Sequence, residues 1–301
     1  MMEPGRLSAV LLELNAVIVA VEAGSPSILT TDGFSLPCGP FETNHRTLEQ
    51  GLRAWAKMKA HKTLGYIEQL YTFADRGRRS ADARAVSIGY LALVRESSGP
   101  QKSPWSPWYK HFPWEDHRLG PPPLIAETIL PALNAWKNKA ASTAQKKERA
   151  TRIQGTFPSD PRSWNEELVL QRYELLWEVG LVAEAPRPKK LCLGEAMAYD
   201  HRRIVATAMA RLRAKIKYRP VVFELLPKEF TMLDLQNTVE ALAGTPLHKQ
   251  NFRRLIERQG LVEETGRIKE GTSGRPAKLF SFRKNVLQER VLAGTKTSRT
   301  F

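Results

Sequence analysis

The hydrophobic pattern changes period several times along the chain, and each change predicts an element. Residues 14–21 (LNAVIVAV) are apolar and β-branched almost throughout, the pattern of a buried strand. Gly24-Ser25-Pro26 predicts a turn, residues 27–31 a second strand, and Asp32-Gly33 another turn. Residues 37–40 are expected as a loop. Leu48, Leu52, Trp55 and Ala56 then recur at spacings of three and four, which predicts a helix packed on a sheet. Arg53 and Lys57 lie off that stripe. Residues 64–73 and 86–94 return to strand composition. Between them, residues 74–79 (ADRGRR) form a basic, Gly-containing loop of the kind that cradles anions.

The middle of the chain reads differently. Residues 97–123 are rich in Pro and carry Trp105, Trp108, Tyr109, Phe112 and Trp114. So much aromatic surface is expected either to fold over the first unit or to form a subunit interface. His111 and His117 bracket Glu115 and Asp116, but no spacing fixes a ligand geometry, so surface or capping roles are expected over metal binding. Residues 125–141 predict a helix with Ile125, Ile129, Leu133 and Trp136 on one stripe. Residues 143–155 are charged and expected to be exposed. Residues 164–179 predict a helix stopped by Gly180, and 186–190 a basic linker. Residues 200–216 predict a basic helix capped by Asp200, with Ile204, Ala208, Leu212 and Ile216 inward. The apolar run 220–226 closes this first unit.

Residues 228–282 are the most explicit stretch. Thr231 and Asp234 approach a capping box. Met232, Leu235, Val239 and Leu242 stripe a helix that stops at Gly244. Thr245 is expected to cap the next helix, with Pro246 at its first position. Phe252, Leu255, Ile256 and Gln259 face one way, and Gly260 ends it. Two short helices with a tight break predict a helix-turn-helix. The second helix presents Gln250, Arg253 and Arg254 opposite its apolar stripe, flanked by His248, Lys249 and Arg258, types that reach bases and phosphates. Residues 261–265 and 277–282 predict two strands around a Gly-rich loop with Lys269 and Arg275, and Lys278 follows in the second strand. A basic hairpin after such a helix predicts a wing.

Charge and cysteine content narrow the class. Among 301 residues, 46 Lys and Arg against 31 acids give a net charge of +15, which points to a polyanionic partner. Cys38 and Cys192 suit a reducing compartment without a disulfide framework. The first residues carry no signal-peptide pattern and the run 15–21 is too short to span a bilayer, so a cytoplasmic, nucleoid-associated protein with no membrane partner is expected.

Residues 36–61 add a resemblance. They are similar to a Nudix box, with Gly39 at its first Gly and Arg53 at its Arg, the spacing intact. His45 stands at the first Glu, Ala54 at the Glu after the Arg, Lys57 and Met58 at the Glu pair, and Ala60 at the last Gly. The residues 69–75 (QLYTFAD), 248–254 (HKQNFRR) and 274–280 (GRPAKLF) resemble segments of the Nudix-related transcriptional regulators of NAD metabolism, most closely the NAD regulator of alphaproteobacteria. The resemblance implies an α+β protein: a Nudix-like mixed-sheet α/β/α domain over residues 7–227, with 98–195 as a helical elaboration or a helical subdomain of its own. A winged helix-turn-helix over 228–290 and a disordered tail over 291–301 complete it.

It also implies a non-enzymatic repressor of NAD biosynthesis genes, homodimeric on double-stranded operator DNA. No cofactor is expected. The effector would be NAD, ADP-ribose or ATP, held near His45, Arg53, Lys57, Asp75, Arg76 and Arg78. DNA contacts are expected from Thr245, His248, Lys249, Gln250, Arg253, Arg254, Arg258, Lys269, Arg275 and Lys278. The rival is a Nudix hydrolase that has moved its metal ligands to acids such as Glu42, Glu49 or Asp75.

Overall fold

A computed structural model describes residues 10–60, 64–74, 84–95, 105–218, 220–269 and 276–283. Its spine is β1 (Val10–Glu22), whose centre is wholly buried. β1 pairs in parallel with β5 (Arg84–Leu93), from Val10 opposite Arg84 to Val19 opposite Leu93. Its other edge carries β2 (Ser25–Leu29) and β3 (Cys38–Pro40), both antiparallel. β4 (Ile67–Phe73) flanks β5, and β6 (Trp105–Pro107) flanks β2, giving the order β4-β5-β1-β2-β6 with β3 beside β1. Residues 38–40 are therefore a strand and not a loop. Pro40 has no N–H to give, and it closes the end of a short edge strand where none is needed.

Side chains alternate across this sheet and bury it on both faces. Leu14, Ala16, Ile18 and Ala20 meet Leu52 and Ala56 of α1 (Leu48–Ala60). Val17 and Val19 point the other way, into the core that contains Ile204, Ala208 and Leu212 of α6 (His201–Tyr218). The result is a three-layer α/β/α domain. Gly39 serves the layering directly: a Cβ there would lie 2.1 Å from the Trp55 indole nitrogen, so only glycine lets strand and helix approach this closely.

The aromatic stretch turns inward. Trp108 and His111 of α2 (Trp108–His111), with Phe112 and Trp114, are at most 1% exposed. They join one hydrophobic cluster with the sheet and α6, so this stretch shares the core of the first domain. A π-helical turn (Ile125–Ile129) leads into α3 (Leu130–Asn138), and Ile125, Ile129 and Leu133 are buried on one stripe. The charged run 143–155 is α4 (Thr143–Thr156), capped by the Ser142 hydroxyl, which accepts from the Gln145 N–H. α5 (Val169–Val179) begins five residues after Trp164. Asn165 there accepts the Glu167 N–H at 2.9 Å, a local turn that competes with the helix. Gly180 ends α5 in the left-handed conformation, φ 78°.

A 3-10 turn (Pro220–Leu225) passes the chain to β7 (Glu229–Phe230), an element absent from the hydrophobic pattern because it is two residues long. α7 (Met232–Ala243) opens on a complete capping box between Thr231 and Asp234 and closes on Gly244, φ 73°. α8 (Lys249–Gln259) has His248 at its N-cap without a side-chain cap, so Thr245 and Pro246 belong to the turn before it. β8 (Val262–Lys269) and β9 (Ala277–Phe282) make the hairpin, and β9 also pairs with β7. Phe223 stacks on Phe282 at 4.3 Å and joins this sheet to the first domain.

Candidate nucleic-acid interface and effector site

The two helices and hairpin have winged-helix topology, and their charges divide sharply. Lys249, Gln250, Arg253, Arg254 and Arg258 are all exposed on α8, as is His248 at its start. Phe252 and Ile256 anchor the opposite face, 8% and 7% exposed. Leu255, expected among the buried residues, is half exposed because the stripe it belongs to borders a cavity and not a filled core. Arg253 faces Glu257 one turn on at 3.5 Å. Lys249, Arg254 and Arg258 have no carboxylate partner among the described residues. The hairpin cations are paired: Lys269 with Asp234 at 3.3 Å, Lys278 with Glu264 at 2.9 Å, and Arg267 with Glu229. Thr245 is half buried in the turn beside the cavity. Arg275 lies outside the described residues.

The winged helix is clamped to the first domain at the end of α7. The Tyr109 hydroxyl donates to the Ala241 carbonyl at 2.6 Å, Arg213 Nε donates to the Leu242 carbonyl at 2.9 Å, and the His117 N–H donates to the Gly244 carbonyl at 2.6 Å. Gly244 could not carry a side chain: a Cβ would sit 2.3 Å from the Glu115 carbonyl oxygen. Behind this contact lies a buried ionic cluster. Glu115 accepts from Arg172 Nε at 2.6 Å and Nη2 at 2.9 Å, and from Arg213 Nη1 at 2.6 Å. All three side chains are 0% exposed. Burial would push the Glu115 carboxyl up, but the two guanidiniums outweigh it and hold it below its ordinary value. Arg172 also lies over the Trp164 ring, 3.9 Å from its centroid.

This cluster is what sequence reasoning missed. A basic helix over 200–216 suggests a polyanion, yet its cations are used internally. Arg202 meets the His111 and Leu193 carbonyls and Glu184, Arg203 meets Glu174, Arg211 and Lys215 meet Glu68, and Lys217 meets Glu166 and Glu167. Position was the available signal: Arg213 is next to Leu212 on the inward side of the helix. His111 and His117 are likewise structural. His111 bridges the Ser106 hydroxyl and the Glu195 carbonyl, both at 2.9 Å, and His117 lies against Trp164 with ring centroids 4.0 Å apart. Burial holds both imidazoles below their usual pKa.

At the box, Arg53 is a clasp. It meets Glu49 at 2.9 Å and donates to the Leu64 and Gly65 carbonyls, tying α1 to the chain that enters β4. His45 Nδ1 accepts the Glu42 N–H at 3.1 Å, and its ring sits over Gly51, where a Cβ would come within 2.8 Å. The Lys57 side chain and Asp75, Arg76 and Arg78 lie outside the described residues. β4 ends at Phe73 and β5 begins at Arg84, at the sheet end that also holds Glu13 and Ser87. Asn15, two residues beyond Glu13 along β1, is fully buried, and neither its Oδ1 nor its Nδ2 has a partner among the described residues. A divalent cation needs hard oxygen donors at the box, and Ala54, Lys57 and Met58 supply none, so the residues present do not fit one there. Of the rival acids, Glu49 is engaged by Arg53.

Known proteins share these features. Residues 222–282 match the NrtR DNA-binding winged helix domain, a start six residues before the expected boundary at 228 that takes in most of the 3-10 turn. The "ADPR responsive transcriptional repressor NtrR" of Acinetobacter baylyi is 40% identical over 86 residues, 29% of this chain. That match spans about a third of the relative's own length, 34%. The Shewanella oneidensis NrtR structure with a 27mer DNA superposes with a TM-score of 0.53 at 21% identity, over 92% of this chain and 95% of that one. A MutT/nudix family protein from Enterococcus faecalis gives 0.55 at 16% identity, over 92% and 90%. Residues 222–282 are thus similar to the NrtR DNA-binding winged helix domain, and the chain as a whole shares the fold of these solved structures.

Proposed function

We propose that the chain is a transcriptional repressor that binds operator DNA through α8 and its wing and releases or grips it in response to an adenine nucleotide held by the Nudix-like domain. The observation that carries this reading is the winged-helix match over 222–282, on which Arg254, with Lys249 and Arg258 at the flanks, is exposed on α8 without a carboxylate partner among the described residues. Guanidiniums without an acidic partner reach phosphates and guanine edges with no ion pair to break, whereas the wing cations must first exchange a weak exposed one. The Acinetobacter relative's name supports ADP-ribose as the first effector to test, ahead of NAD and ATP. The degenerate box supports sensing without turnover, because a sensor must not consume its ligand. The genes controlled would be those of NAD biosynthesis. Two copies related by a two-fold axis would read a palindrome, since one winged helix covers few base pairs.

The test is fluorescence anisotropy on DNA from upstream of NAD-biosynthesis genes, against scrambled duplex, with ADP-ribose, NAD and ATP titrated separately. Equal affinity for both duplexes across salt concentrations would sink the reading. Light scattering on the complex reports the stoichiometry. Incubation with ADP-ribose and Mg²⁺ tests the hydrolase rival, and AMP release at an enzymatic rate would favour it.

A further inference from the structure

The winged helix is fastened to the first domain along two lines, and α8 lies on neither. One line is the clamp on the last turn of α7, and the other is Phe223 stacked on Phe282. Between them a cavity of about 420 Å³ opens among α6, α7 and α8. Its walls are mostly apolar, with Ile216 of α6, Leu235 and Val239 of α7, and Phe252, Leu255 and Ile256 of α8, and Asn251 and Gln259 add neutral polar groups. Glu166, Arg213 and Lys217 also line it. Those charges answer one another. Lys217 meets Glu166 at 2.7 Å, and Arg213 meets Glu115 and the Glu166 carbonyl.

We infer that this cavity is a binding site for a neutral small molecule with an apolar ring body, separate from the nucleotide site. The volume falls among those of small-molecule pockets, and apolar walls around a few fixed polar groups are the usual lining of such sites. The occupant is neutral because the charged lining has no charge to spare. A phosphate would face Glu166 and two cations already held by Glu115 and Glu166, and a cation would face Arg213 and Lys217, so either would have to break an existing ion pair. Water within such walls makes few hydrogen bonds, so an apolar body displaces it readily. A ligand here touches α6 of the sensor and α8 of the reader at once. It therefore favours one spacing of the two helices over others and shifts DNA affinity by the same factor by which DNA shifts its own. That second step rests on the DNA-binding reading above; the binding step does not.

The probe is N-phenyl-1-naphthylamine, which is neutral and fluoresces in apolar surroundings, titrated into the full chain without DNA. Saturable binding of one probe per chain is expected, unchanged by saturating ADP-ribose. Val239→Trp fills the cavity and should abolish it. Leu255→Glu, at the half-exposed mouth, should weaken it by about tenfold or more, and it keeps the question decidable if the tryptophan variant fails to fold. Absence of saturable binding, binding unaffected by both substitutions, or displacement by ADP-ribose would overturn the site. Where the probe binds, operator affinity unchanged at saturating probe would overturn the coupling. A chain that binds the probe but no operator would count against the DNA-binding reading and leave the site standing.

Discussion

Two sets of arginines in this molecule are identical in chemistry and opposite in use. Arg172 and Arg213 are fully buried around Glu115, with further donors spent on backbone carbonyls. Arg254 and Arg258 stand exposed on α8 without an acidic partner among the described residues. The first set joins two domains, and the second is available to something outside the chain. Net charge counts both alike. Its value as evidence for a partner therefore depends on how many cations are already neutralised, which only the fold reveals.

Substitutions can separate the two sets. The largest effect is expected from Glu115→Gln, which leaves two guanidiniums buried without their carboxylate. Removing one partner of a buried pair costs about 3 to 5 kcal/mol, read as a lowered unfolding temperature. DNA affinity of the protein that remains folded should change little at temperatures below the transition. Arg254→Ala should do the reverse: an unchanged melting temperature and a loss of about 2 kcal/mol, roughly thirtyfold, in operator affinity by anisotropy. If both variants lose both properties together, the distinction between the sets fails.

Thr231→Ala sharpens the comparison within the reader. It removes one half of the capping box on α7 and should cost about 1 kcal/mol in denaturant unfolding, with the α8 face intact. The smallest effect is in pH. Burial depresses His111 and His117, so the unfolded chain takes up their protons first as pH falls below the ordinary 6.5. Stability present above that value should be lost as pH drops from 7 toward 5. In His111→Gln the melting curve should shift less over this range, and an equal shift would mean that the imidazole is not responsible.

Much of the fold was legible because its signals are local. The stripe Leu48, Leu52, Trp55 and Ala56, the glycines 180, 244 and 260, and the Thr231–Asp234 box each act within one or two turns, and each does its expected job. Illegible features depend on distant partners. Cys38–Pro40 is a strand only because Glu13 to Asn15 lie opposite it. Thr245 could cap a helix by type, but the turn it occupies leaves that place to His248. The buried cluster joins residues 57 and 98 positions apart, and no periodicity records such a pairing. At the box, residue types announced the loss of carboxylates, while the clasp role of Arg53 needed the Leu64 and Gly65 carbonyls to be placed.

The same long-range pairings set an order of assembly during synthesis. The Leu36 N–H is answered by His201, 165 residues later, and the Glu115 carboxylate waits for Arg172 and then Arg213. Until those residues emerge from the ribosome, the nascent sheet lacks the layer that covers one of its faces, and an unneutralised acid stands where the core will close. Exposed apolar surface of that kind is what chaperones bind and what aggregates. The first domain can therefore close only after α6 has been translated, long after its sheet, and the winged helix then docks on a surface that is already complete.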